Sequence, residues 1–81
     1  MIKKIFTVYD RKAQVYSLPF FAARTELAIR DYQYAQKDPA SDLSKYPDDF
    51  VLCELGTFDD HTAVICMDDQ PIIINTVSPE V

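Results

Sequence analysis

The amino-acid sequence predicts an α+β fold in which one helix packs on an antiparallel sheet of four or five strands. Short segments of β-branched and aromatic residues recur along the chain, and polar turns separate them. Only one segment places its apolar residues at clear helical intervals. A chain of 81 residues with 48% hydrophobic content is sufficient for a single domain, residues 1–81, with a single core.

The first strand is predicted at residues 2–9, where β-branched and aromatic side chains alternate. Residues 14–18 form the second strand, which ends near Pro19 because proline cannot donate a hydrogen bond to a neighbouring strand. The apolar residues 20–23 then lead into the helix. Further strands are predicted at residues 50–58, 62–67 and 72–77, with turns at residues 59–61 and 68–71 and a frayed end at residues 78–81.

The clearest helix follows Thr25, which is predicted to be its N-cap. Ala28, Tyr32 and Ala35 occupy positions i, i+4 and i+7 and define a narrow apolar face. The helix ends before Pro39, because the residue that precedes a proline avoids the α region. Such a short helix is marginal in water, so we expect it to pack on the sheet.

Residues 38–49, rich in Asp, Ser and Pro, are predicted to form a long acidic loop. A stretch of this length without regular structure is unusual in a compact domain. We therefore expect a short helical turn at residues 41–45, with Ser41 as its cap. The sole glycine, Gly56, interrupts the third strand and indicates a bulge or a bend.

Cys53 and Cys66 each lie in an apolar, strand-like segment, where a reduced cysteine packs as a small hydrophobic residue. We expect both to be free, buried thiols, since cytosolic thiols are normally kept reduced. Whether the two cysteines lie close together depends on strand pairing, which the sequence leaves open.

One cluster has the residue types of a metal site: Asp59, Asp60, His61, Asp68 and Asp69. The two acidic pairs are predicted at opposite ends of one hairpin strand, about 20 Å apart, so the five side chains cannot converge on one ion. Aspartate is also an ordinary turn residue. The only histidine could form a catalytic pair with a cysteine, but both cysteines are expected to be buried and unactivated. The sequence therefore predicts no enzyme, no metal site and no cofactor.

Charge is divided unequally along the chain, whose net charge is −5. Residues 1–37 carry seven cations and three carboxylates, a net of +4, whereas residues 38–81 carry one cation and ten carboxylates, a net of −9. Single-stranded nucleic acid is bound by basic groups beside stacking aromatic rings, and residues 6–9 include such rings. The plainer interpretation is a mixed, solvated surface around an ordinary sheet. The candidate nucleic-acid-binding residues are Lys3, Lys4, Arg11 and Lys12.

Three short motifs resemble a known family. The sequence reads VYD at residues 8–10, PFFA at residues 19–22 ahead of the helix, and ELGTFDD at residues 54–60. Together they resemble the small nonstructural protein of gokushovirus-like microviruses, which are single-stranded DNA phages. The resemblance implies an early factor, absent from the virion, that is connected with synthesis or packaging of the single-stranded genome. It brings no catalytic residues to this chain.

The acidic balance of the chain favours contact with proteins over contact with DNA. We therefore expect a non-enzymatic phage accessory factor that acts in single-stranded DNA synthesis through phage or host replication proteins. The alternatives are direct binding to single-stranded DNA and an acidic DNA mimic that inhibits a host protein. The longest apolar run, residues 63–67, is too short to span a membrane, so the host cytoplasm is the expected location. Surplus Tyr and Ile with an unpaired edge strand favour a homodimer.

Overall fold

The N-terminal strand and a strand from the second half of the chain pair along their whole length. β1 (Ile2–Asp10) and β4 (Phe50–Asp59) are antiparallel. Their register runs from Ile2 opposite Asp59 to Asp10 opposite Phe50, with one bulge after Ile5. The structure, a computed structural model, describes residues 1–76. The other elements are β2 (Val15–Tyr16), β3 (Phe20–Ala22), α1 (Thr25–Lys37), α2 (Asp42–Lys45), a 3₁₀ turn (Pro47–Asp49) and β5 (Val64–Ile73).

The remaining strands attach to the two outer edges of the β1–β4 pair. β5 pairs with β4, whereas β2 and β3 share the opposite edge of β1, so the order is β2-β1-β4-β5 with β3 also beside β1. Every one of these pairs is antiparallel. The predicted α+β class, one main helix with an antiparallel sheet, is confirmed.

Helix α1 packs on the sheet through a narrow strip. Ala28 and Tyr32 are buried against Phe6 of β1 and Leu52 of β4, and these four side chains form the core. The Tyr32 hydroxyl donates a hydrogen bond of 3.1 Å to the backbone carbonyl of Phe50, which holds the helix to the start of β4. Because the core is this small, each member is expected to contribute a large share of the stability.

The helix begins one position differently from the prediction. Arg24 occupies the N-cap position without a side-chain hydrogen bond, and Thr25 is the first helical residue. The Thr25 hydroxyl instead accepts a hydrogen bond of 3.2 Å from the Lys4 ammonium. The short turn expected at residues 41–45 is confirmed as α2, where the Ser41 hydroxyl accepts from the Leu43 N–H at 3.1 Å. Within residues 1–76, no helix is long and apolar enough to cross a membrane.

Residues 20–22, expected to be an apolar lead-in to the helix, form β3. Phe21 lies opposite Ile5 of β1, and the rings of Phe20 and Phe6 stack with their centroids 5.9 Å apart. Three residues are too few for an alternating pattern, so only pairing with β1 makes this segment a strand.

The two strands predicted at residues 62–67 and 72–77 are one strand, β5. Met67 lies opposite Gly56 and Ile72 lies opposite Glu54, so both halves of β5 pair with β4. The turn predicted at residues 68–71 is a four-residue bulge between them. The predictions for residues 77–81, including the frayed end, lie outside the described residues.

Two hairpin turns of the same form close the β1–β2 and β4–β5 pairs. Each begins with an aspartate, Asp10 or Asp59, whose carboxylate accepts backbone N–H groups inside the turn at 2.9–3.1 Å. Each ends with a residue in the left-handed region, Gln14 at φ 58° and Ala63 at φ 64°. The aspartate side chains stabilise both turns by accepting N–H groups of their own turn, and neither turn contains a glycine.

Both cysteines are free, but only Cys53 is buried; Cys66 is exposed. The prediction of two buried thiols is therefore wrong for Cys66, because β5 is the outermost strand of the sheet. Cys53 lies opposite Ile73 and Cys66 opposite Thr57, so about 13 Å of strand separates the two cysteines. Burial raises the pKa of the Cys53 thiol.

Gly56 allows the backbones of β4 and β5 to approach closely. A Cβ atom at this position would collide with the Cys66 carbonyl oxygen and would lie 2.9 Å from the Met67 Cα. We predict that Gly56→Ala lowers the free energy of unfolding by about 1–3 kcal/mol, as other overpacking substitutions do. Urea denaturation measures this, and an unchanged midpoint would contradict the close approach.

Tyr32 should link stability to alkaline pH. Burial raises the pKa of its hydroxyl above the ordinary value of 10.0. Above that value the unfolded chain has released a proton that the native chain keeps, so stability falls as pH rises. Tyr32→Phe should remove that contribution to the fall, and at neutral pH it should cost about 1 kcal/mol through the lost hydrogen bond.

The matched control is Tyr34→Phe on the exposed side of the same helix. In urea titrations at pH 7 and above pH 10, we expect it to leave the neutral stability unchanged and to retain the fall in stability that Tyr32 causes at alkaline pH. Equal effects of the two substitutions would show that Tyr32 is not the buried hydroxyl described above.

Candidate interaction surface

The helix covers one face of the sheet only. Phe6, Val8 and Leu52 point to the helix, together with Phe20 and Ala22 of β3. Because side chains alternate along a strand, the residues between them lie on the other face. We call this second face the helix-free face. Strand register places its side chains in four rows: Lys3, Phe58 and Ile65; Phe21, Ile5, Gly56 and Met67; Thr7, Cys53 and Ile73; and Tyr16, Tyr9 and Val51.

The side chains at the centre of the helix-free face are buried, and those from the outer strands are exposed. Ile5, Thr7 and Cys53 are buried at the centre of the sheet. Around them stand exposed side chains from the outer strands, including Met67 at 61% and Ile73 at 68% of full exposure. The remaining exposed members are Tyr16, Phe21 and Ile65. Exposed apolar side chains gathered on one face are typical of a binding surface.

Aromatic pairs stiffen both ends of this face. The rings of Tyr9 and Tyr16 lie with centroids 4.5 Å apart at the end where β1 leads into its turn. At the opposite end, Phe21 meets Phe58 edge to face at 5.5 Å. Rings held against each other in this way present preorganised apolar area.

The one buried polar side chain of the face, Thr7, is fully satisfied. Its hydroxyl donates to the Ser17 carbonyl oxygen at 2.8 Å and lies 3.1 Å from the Ser17 hydroxyl. The Cys53 thiol beside it is buried, and its raised pKa opposes thiolate formation. These groups stabilise the base of the face and do not form an activated nucleophile.

The structure does not bring the four candidate nucleic-acid-binding residues together. Lys3 lies on the helix-free face and Lys4 on the helix side, because they are consecutive in a strand. Arg11 and Lys12 are exposed in the turn after β1, about 26 Å from Lys3 along the strand. Four cations divided between two faces and two ends do not form one track for a phosphate backbone.

Carboxylates from the acidic half of the chain lie beside the basic residues. The Lys4 ammonium pairs with Glu54 at 3.2 Å, and Lys3 lies 3.7 Å from Asp60. Asp60 also accepts a hydrogen bond of 2.7 Å from the Met1 ammonium, which lowers the pKa of that carboxyl and raises the pKa of the ammonium. The charge segregation seen along the sequence therefore does not survive on β1.

Lys12 has acidic neighbours as well. It lines a surface cavity of about 400 Å³ together with Asp10, Asp42 and Asp49. The neighbouring carboxylates weaken the attraction of this lysine for phosphate. Arg11 is anchored by its backbone, since its N–H donates to the Asp49 carbonyl oxygen at 2.7 Å.

Asp59 and Asp60 have structural partners, whereas the Asp68 Oδ2 atom is buried without a hydrogen-bond partner among the described residues. Asp59 caps its hairpin turn by accepting the His61 N–H at 2.9 Å, and Asp60 holds the Met1 ammonium. Asp68 and Asp69 lie in the bulge of β5, between the two parts of that strand that pair with β4. Within residues 1–76, no three His, Cys, Asp or Glu side chains are placed to hold a metal ion.

Comparison with known proteins identifies the family. The family model described as Phage ORF5 protein matches residues 3–79. The chain belongs to this family. Protein ORF5 of Chlamydia phage 1 is 38% identical over 58 residues, a match that covers 67% of this chain and 60% of the relative. This chain thus spans less than two thirds of that relative's length, and no solved structure matches the chain.

These matches confirm the resemblance to a microvirus-like phage protein. The sequence pattern indicated the basic residues as the candidate site and did not indicate the helix-free face. The alternation of Lys3, Ile5, Thr7 and Tyr9 is the available signal, because it places an apolar and aromatic series on one side of β1. The contributions of Phe21 and Met67 depend on strand register, which that alternation does not contain.

Proposed function

We propose that this protein is a non-enzymatic accessory factor that supports synthesis of the single-stranded phage genome by binding a replication protein. The helix-free face is its binding surface, and the host cytoplasm is where it acts. One observation carries the proposal: thirteen side-chain positions in four rows include a single charged residue, Lys3, which already faces Asp60.

This composition fits a protein partner. Centres of protein interfaces are enriched in aromatic residues and methionine and depleted in charged ones. The exposed members Tyr16, Phe21 and Met67 match that description. The chain has a net charge of −5 and carries carboxylates at the margin of the helix-free face. Electrostatic complementarity therefore favours a partner whose apolar patch is surrounded by basic residues. A replication protein of the phage or its host, which must itself bind DNA, has that chemistry.

The first test compares two exposed positions during infection. Ile73→Ser removes an apolar side chain from the helix-free face, whereas Tyr34→Ser removes one from the exposed side of α1. We expect Ile73→Ser to lower the ratio of single-stranded to double-stranded phage DNA at least tenfold, and Tyr34→Ser to leave it unchanged.

Both residues are exposed, so both variants should melt like the unsubstituted protein, which thermal denaturation checks. If Ile73→Ser supports normal single-stranded DNA synthesis, the helix-free face is not the functional surface.

Direct contact with single-stranded DNA is the second candidate, and one local arrangement favours it. The Tyr9–Tyr16 ring pair lies at the end of β1 that leads into Arg11 and Lys12. Stacking rings next to cations are the elements of single-strand binding. Against it stand the carboxylates around Lys12 and the absence of a continuous basic track between Lys3 and Arg11.

Fluorescence anisotropy with a labelled oligothymidylate separates the two candidates. The leading proposal predicts no binding even at low salt. The second predicts binding that weakens steeply with salt and that falls about tenfold when Arg11 and Lys12 are both changed to Ala. Changing Arg24 and Arg30, two exposed cations of the helical segment, to Ala is the matched control and should have no comparable effect.

A further inference from the structure

The outer edge of β5, a strand of ten residues that the bulge at residues 68–71 interrupts, is open. The sheet ends there, and no strand within residues 1–76 pairs with that edge. Natural edge strands are usually short, charged or covered, because an open edge is a template for another strand. Residues 64–67 of β5 carry no charge, and Ile65 and Met67 are both more than half exposed.

We infer that this edge pairs with the β5 edge of a second copy of the chain, antiparallel and across a twofold axis. The two sheets then continue into each other, and the two helix-free faces become one surface. The inference does not depend on the proposed function, since it concerns the purified chain alone. A twofold contact is self-complementary, so each feature of one β5 has to fit the same feature of the other.

Charge selects the antiparallel orientation. In a parallel pair, Asp68 and Asp69 would each lie about 5 Å from the same residue of the second copy, and like charges at that spacing are destabilising. In an antiparallel pair centred on Cys66, Asp68 lies opposite Val64 of the second copy. The two Asp68 residues are then about 13 Å apart along the strands, beyond the Debye length of about 8 Å.

The turn before β5 selects the register. Residues opposite each other in an antiparallel pair share a face, so the twofold axis passes through a residue and not between two residues. Centring on Ile65 would draw Ala63 into the pairing, and Ala63 has the positive φ of a turn residue, 64°. Centring on Cys66 pairs residues 64–68, of which only Asp68 belongs to the bulge and none has a positive φ. It also places Ile65 opposite Met67 of the second copy.

The area that the two β5 edges can bury indicates the affinity to expect for the dimer. A standard interface takes about 800 Å² from each partner, and the whole chain exposes 5992 Å². Five paired residues bury less than that standard area. The side chains of Ile65 and Met67 from both copies must therefore also pack against each other next to the twofold axis. We therefore expect a dimer of micromolar affinity that dissociates on dilution.

Cys66 reports the register directly. At the centre of the pair its Cα atom would lie about 4.5–5.5 Å from that of the second copy, within the range that a disulfide bridges. Cys53, the other cysteine, is buried and does not compete. Mild oxidation with copper–phenanthroline should link most chains within minutes, and Cys66→Ser should abolish the product.

The matched control is Cys66→Ser combined with Tyr34→Cys, which moves an exposed thiol to the helix. We expect it to crosslink at least tenfold more slowly than the unsubstituted protein at the same concentration. Equal rates for the two proteins would mean random collision and would overturn the inference.

Light scattering over a range of concentrations gives the second measurement. The unsubstituted protein should change from monomer to dimer, and Ile65→Lys should stay monomeric. Ile73→Lys, equally charged but beyond the bulge on the same strand, should still dimerise. A monomer at every concentration would overturn the inference and leave the edge to another protein. A dimer that persists in Ile65→Lys would place the contact on a different surface and would also overturn it.

Discussion

The pairing of β1 with β4 is the constraint on which the rest of this structure depends. It joins residues that are between 40 (Asp10 and Phe50) and 57 (Ile2 and Asp59) positions apart, and every other strand attaches to one of its two outer edges. The helix packs on Phe6 and Leu52, one residue from each strand, so the core exists only when the pair has formed. Pairing of such distant residues has to overcome the entropy cost of closing a long loop before the contacts of the core can stabilise it. We therefore expect it to be the slow step of folding.

The same pairing decides how the charges of the chain are used. β1 brings Lys3 and Lys4, and the acidic half brings Glu54 and Asp60 to meet them. Lys3 and Lys4, which would otherwise be available to a phosphate backbone, are thereby paired with carboxylates of the same chain. The exposed side chains that remain on the helix-free face are apolar and aromatic, and this is why we favour a protein partner over DNA.

The sequence predicted correctly those elements that depend mainly on residues close together in the chain. The alternation in β1, the helical spacing around Ala28 and Tyr32 and the cap at Ser41 each predicted the element found there. The errors lie where tertiary contact decides. Residues 20–22 become a strand through β1, residues 68–71 bulge because both flanks pair with β4, and Cys66 is exposed because β5 is outermost. The helix-free face was missed for the same reason, since register assembles it.

Residue-resolved amide hydrogen exchange on the dilute protein tests this account most directly. If the β1–β4 pair is the centre of the fold, its amides exchange slowest and only through global unfolding, while α1 and β2 open earlier. Slower exchange of the α1 amides than of the β1 and β4 amides would contradict the account. The helix would then be the most stable part of the fold, and the sheet would depend on it.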